Sequence, residues 1–315
     1  MTIRSFLKLV EIQTKVASMI PLLLGTSYAL YHFNTFNPIN LLLFFLSLLL
    51  FDMATTGINN YMDFKKANKT DGYGYEVHNA ITNYNLSERS VLAVIFILVG
   101  ISILLGLLLV FRTNIIILLL GALSFLIGIL YSFGPLPISR TPFGELFSGL
   151  CMGFIIVFLS IYIHIYDQNM ISFSYSNNIL AINANIVELF YIFLVSLPSV
   201  FCISNIMLAN NICDIEEDIE NKRYTLPIYI GKPRALKLFK ALYLSAYFVI
   251  IVLIILRTIP IFSVLALLSF IPVNKNINSF FKVQSKAETF VVAVKNFAMI
   301  HIFYISTIIL GIVFK

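Results

Sequence analysis

Cysteine occurs three times in this chain and histidine four times. Cys151, Cys202 and Cys213 make no C-x-x-C pair, and His32, His78, His164 and His301 keep no ligand spacing, which argues against zinc, haem and a disulfide framework. A glycine-rich phosphate loop of the Walker type is also missing. Charge is scarce, at 11% of residues, whereas 59% are hydrophobic and the mean hydropathy is +0.94. These values exclude a water-soluble globule and define an integral membrane protein.

The apolar segments are long and continuous, as in spanning helices, rather than alternating, as in the strands of a barrel. At about 20 residues per span, nine helices are expected, over residues 16–32, 39–58, 89–111, 113–132, 143–165, 187–209, 236–256, 258–273 and 294–314. The fold class expected is all-α integral membrane, with the nine helices around a central cavity open to the cytoplasmic side. With the N-terminus inside, all of the 21 basic residues except Arg112, Arg257 and Lys315 fall on the cytoplasmic face. The positive-inside rule then fixes the orientation and places the protein in the plasma membrane, N-terminus and site loops inward. The net charge of +6 needs only anionic lipid as its counterpart, and calls for neither nucleic acid nor a protein partner.

Residues 210–226, NNICDIEEDIENKRYTL, follow a long apolar run. On a helix, Asn210, Asp214 and Asp218 share one stripe. Two carboxylates a turn apart can hold a hard cation such as Mg²⁺ while leaving coordination for waters and a substrate's phosphates. Lys222 and Arg223 can take further phosphate oxygens. A solvated, charge-rich helix end would look the same by spacing alone. The upstream residues 59–63, NNYMD, repeat the Asn-Asn-x-x-Asp pattern of 210–214 at the end of another apolar segment. Such internal repetition points to two similar halves facing one site. In the first copy Asn59 and Asp63 are a turn apart, Lys66 and Lys69 continue the polar side, and Asp71 lies near the break at Gly72 and Gly74.

The remaining polar positions are read conservatively. Residues 1–15 form an amphipathic lead-in to an uncleaved first helix, and Lys15 is an interfacial anchor. Asp52, inside an apolar run, faces the protein interior. His78 is a structural hydrogen-bonder. Residues 131–146, YSFGPLPISRTPFGEL, make a bent connection through Gly134, Pro135, Pro137, Pro142 and Gly144. Glu145 complements the dipole of the helix that follows. Tyr166 to Asn185 is an external loop without chemistry, the last three helices carry no convergent polar cluster, and the Lys-rich loop from Asn274 to Lys295 is a connector.

Twin carboxylate clusters beside an apolar, aromatic-walled chamber suit a lipid diphosphate, with metal charge on the departing diphosphate and aromatic faces near an allylic cation. At these residues the chain resembles the UbiA superfamily of intramembrane prenyltransferases, and most nearly its MenA-type branch. The strings that carry the likeness are NNYMDFKK, YSFGPLPISRTPFGELFSGL and LANNICDIEEDIENKRYTL with the IGKPRA turn. The resemblance implies one transmembrane domain over 1–315, built of two pseudo-repeated halves with motifs at 59–71 and 210–218. It implies Mg²⁺ as cofactor on Asp63, Asp71, Asp214 and Asp218, with Asp63, Asp214 and Asp218 catalytic. Asn59, Lys66, Asn210, Lys222 and Arg223 would bind diphosphate.

The implied reaction joins a polyprenyl diphosphate to 1,4-dihydroxy-2-naphthoate with loss of CO₂, giving demethylmenaquinone. Another aromatic acceptor, such as 4-hydroxybenzoate, keeps the same chemistry. A transporter with broken helices is the alternative from a different class; it would need ionisable residues at mid-membrane depth, whereas nearly all the acids here, Asp52 apart, collect at one face.

Overall fold

The computed structural model describes residues 1–66, 79–135, 137–176 and 178–315, with the backbone alone for Lys66, 174–176, 179 and 180. Among the described residues, nine helices are long and apolar enough to cross a membrane. After a short helix α1 (Ile3–Leu9) come the spans α2 (Ile12–Phe33) and α3 (Pro38–Lys66), then a single turn α4 (Ala80–Asn83). The next spans are α5 (Glu88–Arg112), α6 (Ile115–Ser132), α7 (Gly144–Ile165) and α8 (Ile186–Cys213). Two short helices, α9 (Ile215–Glu220) and α10 (Leu226–Ile230), precede the last three spans, α11 (Lys232–Ile255), α12 (Ile261–Lys282) and α13 (Val291–Val313).

Polar caps mark where the spans begin. Ser87, Asn114 and Asn185 each accept a first-turn backbone N–H through the side chain, satisfying a donor that the helix itself leaves open. The chain packs α3 on α5, α2 on the second half of α7, and α8 on both α7 and α11. At the α7–α8 crossing the two backbones come close. Gly149 and Gly153 lie four apart, so they share a face, and a Cβ on Gly153 would stand 2.5 Å from Val200 Cα. Small residues at this spacing let two backbones approach where no water-driven force pushes helices together. The crossing sits a few residues from the start of α7, and so sets where Glu145 meets α8.

The eighth span is displaced from the expected 258–273 and runs over Ile261–Lys282. It opens as a 3₁₀ stretch after Pro260 and becomes α-helical at Phe270, so Pro272 falls in a first turn that needs no N–H from it. Beyond it, Val273, Ile277 and Phe280 are buried at i, i+4 and i+7, an apolar face that the intervening Asn and Lys residues hide from a simple hydropathy reading.

The loop from Tyr166 to Asn185 contains an antiparallel hairpin, β1 (Ile171–Ser176) with β2 (Ile179–Ala184), register Ile171↔Ala184 to Ser176↔Ile179. Alternating apolar residues in ISFSYS carry that signal.

Lys15 is not an interfacial anchor. Its side chain is 4% exposed, and Nζ donates to Asp52 Oδ1 at 2.7 Å, to the Asp52 carbonyl at 3.0 Å and to Thr56 Oγ1 at 2.6 Å. Ser18 Oγ donates to the other Asp52 oxygen at 2.5 Å. Asp52 does face the interior, and a buried carboxylate there requires this matched cation.

Candidate active site

Successive spans run in opposite directions, so the connections after α3, α6, α8 and α12 all emerge at one end of the bundle. That end collects Asp63, Arg140, Glu145, Asp214, Asp218, Arg223 and Lys286.

The second motif is bent at Asp214, where α8 stops and α9 starts, yet the stripe expected from its spacing survives. Asp214 N–H donates to the Asn210 carbonyl at 3.1 Å and Asp218 N–H to the Asp214 carbonyl at 2.7 Å, so the i to i−4 pattern crosses the junction. The helix then ends on Lys222, in the left-handed region at φ 53°, with Lys222 N–H on the Ile219 carbonyl and Arg223 N–H on the Asp218 carbonyl at 2.8 Å. This Schellman closure returns Arg223 over Asp218: Arg223 Nε lies 3.2 Å from Asp218 Oδ1, an ion pair whose angle forms no hydrogen bond. Thr225 Oγ1 donates to Asp218 Oδ2 at 3.1 Å, and Lys286 Nζ reaches Asp214 Oδ2 at 2.5 Å. Lys222 is exposed, while Asn210 is half-buried.

Burial pushes the Asp218 carboxyl up to about 6, with Asp214 adding to the rise and Arg223, Thr225 and Lys286 opposing it. Glu217 is also raised, first by burial, then by Asp214 and Asp63 against Lys286 and Arg223. The influence of Asp63 on Glu217 brings the first motif to the second. Arg140 spans them as well: burial and Arg223 lower its pKa, while the carboxylates of Asp63 and Asp218 act the other way. The Tyr224 N–H donates to the Arg140 carbonyl at 3.2 Å and ties the bent 131–146 connection to the end of the second motif.

The two asparagines of each motif divide their work. Asn59 is exposed, whereas Asn60 is buried, its Nδ2 on the Leu9 carbonyl at 2.9 Å and Glu11 Oε1 at 3.3 Å. Likewise Asn211 is buried behind Asn210 and donates to Glu145 Oε1 at 2.9 Å. Glu145 is therefore more than a partner for the helix dipole. Ser204 Oγ also holds its carbonyl at 2.9 Å, and its second oxygen, Oε2, has no hydrogen-bond partner among the described residues.

Asp63, Asp214, Asp218 and Arg223 come together at this end, with Asn210 one turn from Asp214; Asp71, His78 and the Lys66 side chain lie outside the described residues. Arg140 and Lys286 were not singled out by spacing, and the loop after α12 is more than a connector. Arg140 was visible only as a cation within the 131–146 string, and nothing distinguishes Lys286 from the other lysines of its loop. The doubled Asn in both motifs was the available signal for Asn60 and Asn211.

Among the described residues, no three acidic, histidine or cysteine side chains converge closely enough to hold an ion unaided. The donors present nevertheless fit Mg²⁺, which binds one or two carboxylates and completes its shell with waters and substrate phosphates. They are oxygen donors, burial raises the Asp218 carboxyl so that a bound cation would favour its charged form, and the Lys286 ammonium already occupies a cation's place on Asp214.

Residues 18–308 match the model of the UbiA prenyltransferase family. The chain is 35% identical over 245 residues to the 1,4-dihydroxy-2-naphthoate octaprenyltransferase of Bacillus subtilis (strain 168), covering 77% of this chain and 71% of that protein. Among solved structures, a UbiA homolog from Aeropyrum pernix K1 superposes with a TM-score of 0.67 at 19% identity, covering 94% of this chain and 96% of the other. A UbiA homolog from Archaeoglobus fulgidus bound to GPP and Mg²⁺ gives 0.60 at 15% identity, covering 98% and 99%. At these identities the structures establish a shared fold.

Proposed function

The chain belongs to the UbiA prenyltransferase family, and from that premise we propose that it transfers a polyprenyl group from an allylic polyprenyl diphosphate to 1,4-dihydroxy-2-naphthoate. The product is demethylmenaquinol, which oxidation converts afterwards to demethylmenaquinone, with the acceptor's carboxyl carbon lost as CO₂. The observation that carries this reading is the meeting around Arg140 of Asp63, from the first motif, and Asp218, one turn beyond Asp214 in the second, in a chain 35% identical to an octaprenyltransferase of that acceptor.

In this reading Asp63, Asp71, Asp214 and Asp218 hold Mg²⁺, and Asn59, Asn210, Lys66, Lys222 and Arg223 bind the diphosphate. Bound Mg²⁺ supplies positive charge for the departing diphosphate. Arg223 and Arg140, already placed among the carboxylates, add charge-assisted donors to its oxygens. The C–O bond to diphosphate breaks, the electron-rich ring forms a C–C bond through its carboxyl-bearing carbon, and the C–CO₂ bond breaks to restore the aromatic ring. The excess of basic residues expected at this end supports a cytoplasmic orientation of the site, with the lipid tail of the donor in the bilayer.

Mass spectrometry of the lipid product tests the proposal. Purified protein with Mg²⁺, a long-chain prenyl diphosphate and 1,4-dihydroxy-2-naphthoate should yield demethylmenaquinol, read as demethylmenaquinone after oxidation in air, and a parallel tube with 4-hydroxybenzoate should yield no prenylated product. Product only in the second tube would transfer the site to another acceptor. Product in neither, from folded protein, would overturn the reaction.

A further inference from the structure

Two shielded carboxylates of the bundle, half-buried Asp52 and buried Asp214, are matched by lysines, and the two matches are built differently. Lys15 is sealed in, with three acceptors around Nζ. Among the described residues Lys286 has one, Asp214 Oδ2, and its side chain remains 48% exposed while that of Asp214 is 9% exposed.

The backbone beneath Lys286 is held in a tight turn. Ser285 N–H donates to Thr289 Oγ1 at 2.9 Å, Thr289 Oγ1 donates to the Val283 carbonyl at 2.9 Å, and the Thr289 and Phe290 N–H groups both reach the Ser285 carbonyl. Gln284 Nε2 anchors the same turn to the Phe280 carbonyl at 2.6 Å. A fixed backbone and a free four-carbon stem make Lys286 a cation on a pivot over Asp214, and its field also reaches Glu217 and Asp218.

We propose that Lys286 is a substrate-binding residue that occupies Asp214 in the metal-free protein, yields it when a divalent cation is present, and then contacts the diphosphate. The inference rests on the proposed role of Asp214 as a metal ligand. Its physical basis is competition: an ammonium on a carboxylate oxygen and a cation on the same oxygen exclude each other. The released ammonium remains protonated and stands beside new phosphate oxygens, for which a compact, mobile point charge is well suited. The same side chain therefore opposes metal binding before substrate arrives and favours substrate afterwards.

That opposition of signs is testable with Lys286→Gln and Lys286→Arg. Mn²⁺ binding to the substrate-free protein, followed by electron paramagnetic resonance, should tighten about three- to tenfold in Lys286→Gln and stay near the parent value in Lys286→Arg. The KM for prenyl diphosphate should rise about tenfold in Lys286→Gln with a smaller change in kcat, and Lys286→Arg should recover much of it. Unchanged or weaker Mn²⁺ binding in Lys286→Gln would overturn the proposal, as would an unchanged KM. Asp214→Ala, which should lose Mn²⁺ affinity, reports separately on the metal-site reading. The Mn²⁺ measurement needs no acceptor, so it stands even if the naphthoate assignment fails.

Discussion

Asn211 donates its side-chain Nδ2 to Glu145 Oε1 at 2.9 Å, fastening the end of α8 to the start of α7 behind the second carboxylate pair. Asn60 performs the same task at the first motif through the Leu9 carbonyl and Glu11. In each motif the second asparagine anchors the helix, while the first asparagine and the aspartate sit on the side of the site.

Replacing Asn211 with leucine should therefore cost stability before it alters chemistry. It leaves a buried carboxylate oxygen without its donor, at about 2–3 kcal/mol, which thermal unfolding in detergent would register as a lower Tm. Glu145→Gln keeps an acceptor for Asn211 and should lose far less. Equal Tm values for Asn211→Leu and the parent would show that the contact holds nothing.

The Lys15–Asp52 pair gives a sharper stability test. Lys15→Met strands a carboxylate between α2 and α3 and should cost about 3–5 kcal/mol. Lys15→Met combined with Asp52→Leu should recover most of that loss, because the expense lies in the unmatched charge. A double-mutant cycle in which the two losses simply add would contradict the pairing.

At the α7–α8 crossing, Gly153→Ala places a methyl 2.5 Å from Val200 backbone atoms, so one helix must move, at about 1–3 kcal/mol. Gly100→Ala is the matched control, since nothing lies within 4 Å of its Cβ position. The prediction is a lower Tm and reduced turnover for the first and neither for the second.

Asp218 sets an acid limit on cation binding. Its carboxyl, raised from 3.8 to about 6, is protonated below that pH in the metal-free protein, and a protonated oxygen is a poor metal ligand. Mn²⁺ affinity measured by titration should hold above pH 7 and fall as pH drops through 6, approaching tenfold per unit. The stability sign is the reverse: because the folded pKa is the higher one, Asp218 favours the metal-free fold below pH 3.8 and loses that contribution as pH rises through 6. Asp218→Asn should remove this group's share of both trends.

Much of this was legible in the chain because the governing pattern is local. A span declares itself by about 20 apolar residues, and a carboxylate ladder by its four-residue spacing, which is why Asp214 and Asp218 could be paired in advance. The boundary of α12 was not legible, since Val273, Ile277 and Phe280 form a buried face inside a polar string. The partners of these groups were hidden for a different reason. Lys286 meets Asp214 across 72 residues, and Lys15 meets Asp52 across 37; spacing within a helix contains no information about such encounters.

The place of Lys286 late in the chain has a consequence for biosynthesis. Asp63 emerges early and Lys286 only after the eighth span, roughly 220 residues later, or on the order of tens of seconds at ribosomal rates of about 5–20 residues per second. Through that interval the first carboxylate helix can be inserted and packed on α5 while its distant partners do not yet exist. A chain arrested before residue 286 would carry most of the bundle and both aspartate motifs, yet lack the cation that rests on Asp214. Completion of the site is thus coupled to near-completion of translation.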